Sequence, residues 1–440
     1  MKKYMKSGKM ARRISVVMAL LLTAGAAQWT IGAATEEPAD QIVIEDTAEE
    51  VETEVSEDTA EEVETETADV KLNDEFCNAA ANFSLNLMKE LLKENENRLI
   101  SGESVSEALA VVASGAQGET REELEQTLMG GMDTETYQKL LAAFHKNLSE
   151  NAWSTFSTAD GIWLNENQGI SLLDDFVSQN QENFGAAVQA APFNEDTLKE
   201  INDWVSEHTN GMIPQMLDHL SEDEIIHILN ATVFEGEWVD PFYRVQEGTF
   251  TDASGQEQKA DMMYSTEERY IELGNGVGFV KDYVGGQFTF VGILPEEGTS
   301  LTDYLADLTG EEFLSAYQNA KSDKIVEVQL PKFTFDDTTM MKDALEAMGI
   351  KKAFSEEADF SLMTEANLSV DQILHKTHIE VDENGTKAAA ATDVAIKATA
   401  AFDEETKEIL EIKLDRPYFY AIVNTETGIP LFFGAQNTME

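Results

Sequence analysis

The hydrophobic positions of the chain recur at helical spacing from about residue 74 onward. Phe83, Leu87 and Leu91 are four residues apart, which places them on one face and predicts an amphipathic helix. A second helix is predicted after Ser104, whose hydroxyl group can cap the first turn, with Leu109 on its apolar face. The first half of this region is therefore predicted to be helical.

Later segments change to the pattern of antiparallel strands. The stretch FVKDYVGGQFTFVGILP (residues 279–295) is rich in β-branched and aromatic residues and is interrupted by Gly285 and Gly286, which predicts a hairpin. The stretch YFYAIVNTETGIPLFFG (residues 418–434) predicts a second hairpin that turns between Thr425 and Gly428. Helices first and mostly antiparallel strands later indicate an α+β domain.

Length and composition favour one large domain. The chain has 440 residues, of which 42% are hydrophobic, and it contains only 8 prolines. This is enough apolar material for a sizeable core, and the scarcity of proline indicates few long loops. We therefore predict a single domain over residues 74–440.

The N-terminal segment is typical of an exported protein. It begins MKKYMKSGKMARR, continues with an apolar run from Ile14 to Leu22, and then contains small residues that include Ala26 and Ala33. This order predicts a secretory signal peptide over residues 1–33 and an extracellular location. The apolar run is short for a membrane span, and an uncleaved signal anchor is the alternative.

Residues 34–73 predict an acidic, disordered spacer. The unit EDTAEEVETE occurs twice in it, at residues 45–54 and 57–66. Low hydrophobicity and high like charge prevent such a segment from burying a core. We expect the spacer to hold the folded domain away from the cell envelope, whether the protein stays tethered there or is released.

Charge and cysteine content exclude several classes of protein. The formal net charge of −54 repels nucleic acid and anionic lipid, so we expect neither nucleic-acid binding nor membrane contact by the folded domain. Cys77 is the only cysteine, so an exported chain has no intramolecular disulfide and depends on packing for its stability.

One segment near the C-terminus alternates like a strand but carries few large side chains. It reads EVDENGTKAAAATDVAIKATAAF (residues 380–402), and from Thr386 onward its charged residues, such as Lys387 and Asp393, all fall on one face. Four successive alanines cannot anchor a sheet by themselves. The pattern indicates a strand that is held in reserve.

The sequence lacks the motifs of the common catalytic sites. The six histidines do not form a zinc-ligand spacing, and His375 and His378 would point to opposite faces of a strand. There is no GxSxG motif, and GNGVG (residues 274–278) lacks the following helix that a phosphate site requires, so a turn is predicted there. We expect neither enzymatic activity nor a cofactor.

Six blocks of sequence resemble the serpins, the family of serine-protease inhibitors, in order and spacing. The resemblance covers about residues 75–440. The blocks are INDWVSEHTNGMI (201–213), ILNATVFEGEWVDPF (228–242), VQLPKFTFDD (328–337), LEAMGIKKAF (345–354), HKTHIEVDENGTKAAAAT (375–392) and DRPYFYAIVNTETGIPLFFG (415–434).

The resemblance implies the serpin fold with an exposed reactive-centre loop that inserts into the main sheet after cleavage. The alternating segment would be this loop, and small residues on its inward face would let it slide between strands, with Gly385 supplying free backbone torsions at the turn into the sheet. The implied hinge residues are Glu383, Gly385, Thr386, Ala388, Ala389, Ala390, Ala391 and Thr392.

Family spacing from Glu383 places the cleaved bond between Thr399 and Ala400, within about one residue. The residues around this bond are small and uncharged, which favours elastase-like or subtilisin-like proteases over trypsin-like ones. The implied partner is a serine protease that becomes trapped as a covalent acyl-enzyme on a monomeric inhibitor. This inhibitor would contribute no catalytic residue of its own.

The resemblance also implies a buried polar cluster that controls separation of the strands, and a tryptophan beside the loop. The cluster residues are Ser101, Ser104, Asn230 and His375, and the tryptophan is Trp238. Gly102 stands where the family usually has proline, and the C-terminal GAQNTME lacks the usual proline, which puts the local helix geometry in doubt.

Three alternatives to inhibition of serine proteases remain open from the sequence. A non-inhibitory serpin would be cleaved without trapping its protease, and a cross-class inhibitor would trap cysteine proteases. An envelope-associated adhesion module would explain the spacer and the charge, and it would not become more stable when its loop is cut.

Overall fold

The computed structural model describes residues 71–148, 154–184, 187–371, 373–386 and 407–439. The predicted signal peptide and nearly all of the predicted spacer lie outside these residues. The proposed reactive bond Thr399–Ala400 and hinge positions 388–392 also lie outside them. The hinge positions that the structure does describe are Glu383, Gly385 and Thr386.

Helices dominate the first part of the described chain, as predicted. The α-helices are α1 (Asp74–Leu91), α2 (Gly102–Gly115), α3 (Gly118–Leu128), α4 (Thr134–Leu148), α5 (Asp174–Phe184), α6 (Glu195–His208), α7 (Leu301–Ala306), α8 (Gly310–Gln318) and α9 (Lys342–Met348). In none of the helices formed by described residues is there an apolar stretch long enough to cross a membrane.

The start of α2 differs from the sequence prediction. Ser101, and not Ser104, is the N-cap, because its hydroxyl accepts a hydrogen bond from the Ser104 N–H at 3.2 Å. Gly102 follows the cap, and a Cβ atom there would lie 2.2 Å from the Ser84 Oγ of α1. The glycine therefore allows a close approach of α1 and α2 that a larger residue, proline included, would prevent.

The strands of the described residues form three sheets that are mostly antiparallel, which confirms the α+β prediction. The strands are β1 (Arg98–Ile100), β2 (Ser154–Asn165), β3 (Ala187–Ala191), β4 (Ile226–Glu237), β5 (Arg244–Thr251), β6 (Glu257–Glu267), β7 (Arg269–Leu273), β8 (Gly276–Asp282), β9 (Phe288–Pro295), β10 (Lys324–Pro331), β11 (Phe333–Met340), β12 (Ile373–Val381), β13 (Gly385–Thr386), β14 (Glu408–Lys413), β15 (Tyr418–Asn424) and β16 (Pro430–Gln436).

Two of the sheets have six strands and the third has four. We call the sheet β11-β12-β13-β4-β2-β3 the central sheet, β1-β16-β15-β9-β8-β7 the second sheet, and β14-β10-β6-β5 the small sheet. Both hairpins predicted from the sequence, β8–β9 and β15–β16, belong to the second sheet. Gly285 and Gly286, in the first hairpin turn, have φ values of 96° and 72°, where a side chain would be strained.

Helix α2 lies in the core between two sheets. It contacts β16 of the second sheet on one side and β2 and β4 of the central sheet on the other. All of its residues are buried, including two glutamates. The helix therefore connects the packing of the second sheet to the strands that carry the candidate site.

Candidate functional site

The central sheet contains a seam between β4 and β12. Along most of the seam the two strands pair directly and in parallel, with Ile373–His378 opposite Ile228–Val233. At one end the short strand β13 lies between them and is antiparallel to both, so that Thr386 pairs with Val381 of β12 and with Gly236 of β4. The chain thus already enters the sheet at the end of the seam, immediately before residue 387.

Gly385 fits this position because it has no side chain. A Cβ atom at Gly385 would lie 2.2 Å from the carbonyl oxygen of Gly236 and 3.0 Å from the Cα of Glu237, both of which are backbone atoms of β4. The sequence predicts that glycine is needed here for its free backbone torsions, but the φ angle of Gly385 is not in the left-handed region. The close approach of two backbones is the constraint that requires glycine.

A tight turn delivers β13 to the sheet. The Asp382 carboxylate accepts hydrogen bonds from the N–H groups of Asn384 at 2.7 Å and Gly385 at 3.1 Å. Beside the turn, the Glu383 carboxylate accepts a hydrogen bond from the Lys332 ammonium group at 2.5 Å, which lowers the pKa of Glu383. The turn is therefore fixed by its own aspartate and by an ion pair with the end of β10.

Trp238 supports the turn from below. Its ring is buried and stacks on Tyr283 at 4.3 Å between ring centroids, and its indole N–H donates to the Asp382 carbonyl oxygen at 2.9 Å. The Tyr283 hydroxyl is in turn 2.5 Å from the hydroxyl of Thr386. The tryptophan predicted beside the loop thus contacts the turn directly, and also packs in the core.

A buried lysine lies close to these aromatic rings. The Lys281 ammonium group donates to the Glu267 carboxylate at 2.6 Å and to the Asp240 carbonyl oxygen at 2.7 Å. It also lies 4.6 Å from the ring centroid of Phe242. A buried charge of this kind requires all of these partners, so it fixes the loop after β4 in one position.

The four residues of the predicted polar cluster meet in the middle of the seam. Ser101, Ser104, Asn230 and His375 are all buried. Asn230 of β4 accepts a hydrogen bond on Oδ1 from the imidazole Nδ1 of His375 on β12, so this bond crosses the seam. Asn230 also donates to the Ser104 Oγ at 2.5 Å, which ties the seam to α2.

The hydrogen bonds identify the state of His375. Its Nε2 accepts the Ser101 N–H at 3.1 Å, so the single ring proton is on Nδ1, where it is donated to Asn230. Burial lowers the pKa of His375 from 6.5 to about 3. His375 therefore acts as a neutral connector between β12, β4 and the start of α2.

Next to this cluster lies a group of ionisable residues that the sequence analysis missed. Asp160 of β2 accepts a hydrogen bond from the Asn230 amide. Glu103 and Glu107 of α2 flank the imidazole of His145 on α4, and the three carboxylic side chains are almost completely buried. The signal was present in α2, where two glutamates four residues apart interrupt a run of small and apolar residues that offers no solvent-facing side.

No group of three or more His, Cys, Asp or Glu residues within the described part of the chain is arranged to hold a metal ion. The site offers instead a seam between two strands, a starting strand at one end and a hydrogen-bonded cluster in the middle. Such an arrangement can admit another strand. The backbone edges of the two strands flanking the seam now pair with each other, and each could pair with an inserted strand instead.

Comparison with known proteins identifies the family. Residues 78–438 match the family model described as Serpin (serine protease inhibitor). An uncharacterised serpin-like protein of Thermococcus kodakarensis is 31% identical over 365 residues, which cover 81% of this chain and 84% of that protein. Iripin-8 of Ixodes ricinus is 30% identical over 372 residues, which cover 81% and 91% of the two chains.

Solved structures agree with the family. The native state of the thermophilic serpin tengpin matches with a TM-score of 0.78 and 36% identity over 84% of this chain and 95% of that one. The latent state of tengpin matches with a lower TM-score of 0.73, at 34% identity and with 84% and 99% coverage. Together with the fold described above, these matches show that the chain belongs to the serpin family.

Proposed function

We propose that this serpin inhibits serine endopeptidases as a suicide substrate. A protease would cleave the loop that follows Thr386, and the loop would insert into the central sheet before the acyl-enzyme is hydrolysed. The observation that carries the proposal is β13, which occupies the first two positions between β4 and β12. The chain would act as an inhibitor and not as a catalyst.

Continuing the register of β13 predicts the path of the inserted strand. Thr386 lies opposite Val381 and Gly236, so each further residue of the loop would pair with one residue less along β12 and along β4. The inserted strand would be antiparallel to both neighbours and would replace the present parallel pairing. Antiparallel pairing is slightly more stable for each residue, and both flanking strands would gain hydrogen bonds.

This register supports the importance of the polar cluster. Six residues after Thr386, Thr392 would face both His375 and Asn230, which now bond to each other across the seam. Thr386 is buried, so alternation would turn Thr392 inward as well. A threonine hydroxyl can donate and accept, so it can replace the hydrogen bond that insertion breaks.

The specificity of the inhibitor depends on the residues around the bond proposed between Thr399 and Ala400. Thr399 and its neighbours are small and uncharged, which suits a shallow pocket of the elastase-like or subtilisin-like kind. A trypsin-like pocket binds a basic residue, and the nearest one is Lys397, two positions before Thr399.

The direct test mixes the full chain with an elastase and with a subtilisin, followed by denaturing gels and intact-mass analysis. The expected result is a covalent band at the summed mass and a released C-terminal fragment that begins at Ala400. The cleaved chain should also melt at a higher temperature than the intact chain. Cleavage without a covalent band would instead support a non-inhibitory serpin.

Two substitutions locate the reactive bond. Thr399→Arg should convert the chain into an inhibitor of a trypsin-like protease, because arginine then enters the specificity pocket of that protease. Ala401→Arg is the matched control and should leave the chain without this activity. If Ala401→Arg gains trypsin inhibition and Thr399→Arg does not, the bond lies elsewhere. Papain run in parallel tests the cross-class alternative.

We also propose that the protein is exported, which rests on the apolar run from Ile14 to Leu22. N-terminal sequencing of the protein recovered from culture medium and from envelope fractions tests this proposal. A mature chain that begins near Ala33 supports cleavage of a signal peptide. An intact N-terminus in the membrane fraction supports an uncleaved anchor.

A further inference from the structure

The buried acidic group beside the seam contains more carboxyl groups than its single imidazole can neutralise. Glu103 and Glu107 are each 2% exposed, and Asp160 is 5% exposed. One carboxyl oxygen of each lacks a hydrogen-bond donor. Isolated carboxylates in such surroundings are costly, so the group must retain protons that solvent-exposed carboxylates would lose.

His145 supplies one of these protons. Its Nε2 contacts the carboxylate of Glu103, and its Nδ1 lies 3.3 Å from the Glu107 oxygen that has no hydrogen-bond donor. Both ring nitrogens therefore face carboxylates, which favours the doubly protonated imidazolium. Burial alone would lower the pKa of His145, but the two glutamates outweigh burial and raise it well above 6.5.

A second proton is held at Asp160. One of its carboxyl oxygens accepts a hydrogen bond from the Asn230 amide, and the other is buried without a hydrogen-bond donor. Burial, and then the charge of Glu107, raise the pKa of Asp160 well above 3.8, and burial also raises the pKa of Glu103. Each proton that leaves exposes the remaining carboxylates to a further negative charge.

The protons of this group connect directly to the seam. Asp160 holds the Asn230 amide, and Asn230 accepts the hydrogen bond from His375 that crosses from β12 to β4. The side chain of His145 is 20% exposed, so it gives solvent a route to protons that the more deeply buried carboxyls hold. The acid group thus fixes the residue that joins the two strands.

Two further titratable side chains lie near this group. Tyr137 of α4 faces Glu103, and burial raises its pKa, so it stays neutral. His375 faces Asn230 and is neutral as well. Strand β16 has no titratable side chain. Helix α1 approaches α2 at Ser84, and helix α5 contacts α2 through a hydrogen bond between Asn180 and Ser114. Helix α3 follows the opposite end of α2.

We propose that Glu103, Glu107, Asp160 and His145 form a proton-holding network that makes opening of the central sheet depend on pH. While the protons are retained, Asp160 stays in its buried position and holds Asn230 in position to bond His375. When the protons leave at higher pH, the carboxylates repel each other and the support of Asn230 weakens. Separation of β4 from β12 then becomes faster.

The sign of the effect follows from the raised proton affinity. An acid whose pKa is higher in the native state than in the unfolded chain stabilises the native state below its unfolded pKa. This stabilisation is lost as pH rises through the native pKa, and the same holds for the raised pKa of His145. The intact chain should therefore lose thermal stability as pH rises from near neutrality.

The first test measures the melting temperature of the intact full-length chain from about pH 6 to about pH 9. The wild type should melt at decreasing temperature over this range. Asp160→Asn should flatten the dependence, because an amide at this position has no proton to lose and its oxygen can still accept from Asn230. Glu107→Gln removes a charge that raises the pKa of Asp160, and provides a second test if Asp160→Asn folds poorly. Asp336→Asn is the matched control, since this aspartate is exposed on β11 and pairs with His378.

The second test measures how fast a synthetic peptide of residues 386–399 anneals to the intact chain. The rate should rise with pH by up to about tenfold for each unit by which the pKa of Asp160 is lower in the open sheet than in the closed sheet. Asp160→Asn should abolish this rise. This arm rests on the proposed insertion, whereas the melting arm does not, so failure of the peptide to anneal to any variant counts against insertion alone.

Two outcomes would overturn the network. One is a pH dependence of melting that is the same in the wild type, Asp160→Asn and Glu107→Gln. The other is a loss of stability on dialysis against a chelator that Mn²⁺ or Zn²⁺ restores, since the carboxyl groups would then hold a metal ion in place of protons.

Discussion

Replacement of Gly385 by alanine is the sharpest test of whether β13 is the starting strand for the proposed insertion. The added Cβ would lie 2.2 Å from the Gly236 carbonyl oxygen and 3.0 Å from the Glu237 Cα. Both atoms belong to the backbone of β4, which is paired with β2 on its other side and cannot move freely. Relief of the clash requires β13 to leave the seam or β4 to shift.

The magnitude follows from the cost of overpacking. A methyl group forced into a close-packed site costs about 1 to 3 kcal/mol. We expect the melting temperature of the intact Gly385→Ala chain to fall by roughly 2 to 6 °C. If β13 leaves the seam to relieve the clash in the intact chain, it must return for insertion, and insertion then slows by about 5-fold to about 150-fold. More inhibitor would then be hydrolysed for each covalent complex formed.

The assay is a titration of a fixed amount of protease, with the ratio of cleaved inhibitor to covalent complex measured on denaturing gels. Asn384→Ala is the matched control, because it introduces the same residue one position earlier, where the contact to the turn is made by the backbone N–H. The reasoning is refuted if Gly385→Ala melts and inhibits like the wild type. It is also refuted if the two variants are impaired equally.

Three further predictions concern the ends and the middle of the seam. Tyr283→Phe should destabilise the intact chain by about 1 to 3 kcal/mol in a melting experiment, because the buried hydroxyl of Thr386 loses its partner. Glu383→Gln should lower the free energy of unfolding by at most about 1 kcal/mol, since Glu383 and Lys332 are each about one-third exposed. A similar loss in Lys332→Met would confirm that the two side chains stabilise the chain as an ion pair. Because His375 stays neutral in the native state, it stabilises that state above pH 6.5 by at most roughly 5 kcal/mol. This contribution should be lost as pH falls toward about 3. Acid titration of His375→Asn should not show this loss.

The parts of the structure that depend on local pattern were predictable from the sequence. The hairpin β8–β9 follows from two glycines between apolar runs, and both glycines do have positive φ. The opposite orientations of His375 and His378 follow from the period of a strand, and His375 is buried whereas His378 pairs with Asp336 near the surface.

The start of α2 shows the limit of local reasoning. Both Ser101 and Ser104 precede an apolar helical run, and either can cap it. Strand β4, which is distant in sequence, determines which serine is the cap. Its Asn230 and Thr232 both donate to the Ser104 Oγ, at 2.5 Å and 2.6 Å, so this hydroxyl is already engaged. Ser101 is left as the cap.

The apolar run around Glu103 and Glu107 signals their burial, but the contacts of the acidic network were not predictable, because they are tertiary. In a chain with 84 acidic residues, Glu103 and Glu107 give no sign from charge alone that they are buried. They become buried because β16 covers one side of α2 while β2 and β4 cover the other. The same holds for Asp160, whose partners lie on α2 and on the neighbouring strand β4.

The geometry of the seam indicates which step should limit insertion. A strand that continues from Thr386 first replaces the parallel pairing of β4 with His378, Thr377 and Lys376. It then reaches Asn230 and His375, where a side-chain hydrogen bond between the two flanking strands must also break. Exchange of that bond for one to Thr392 has a small net cost, because one hydrogen bond replaces another. The barrier therefore depends on how firmly Asn230 is held before Thr392 arrives. Asp160 holds it from the other side of β4, so residues that never touch the loop control the rate at which the loop can enter.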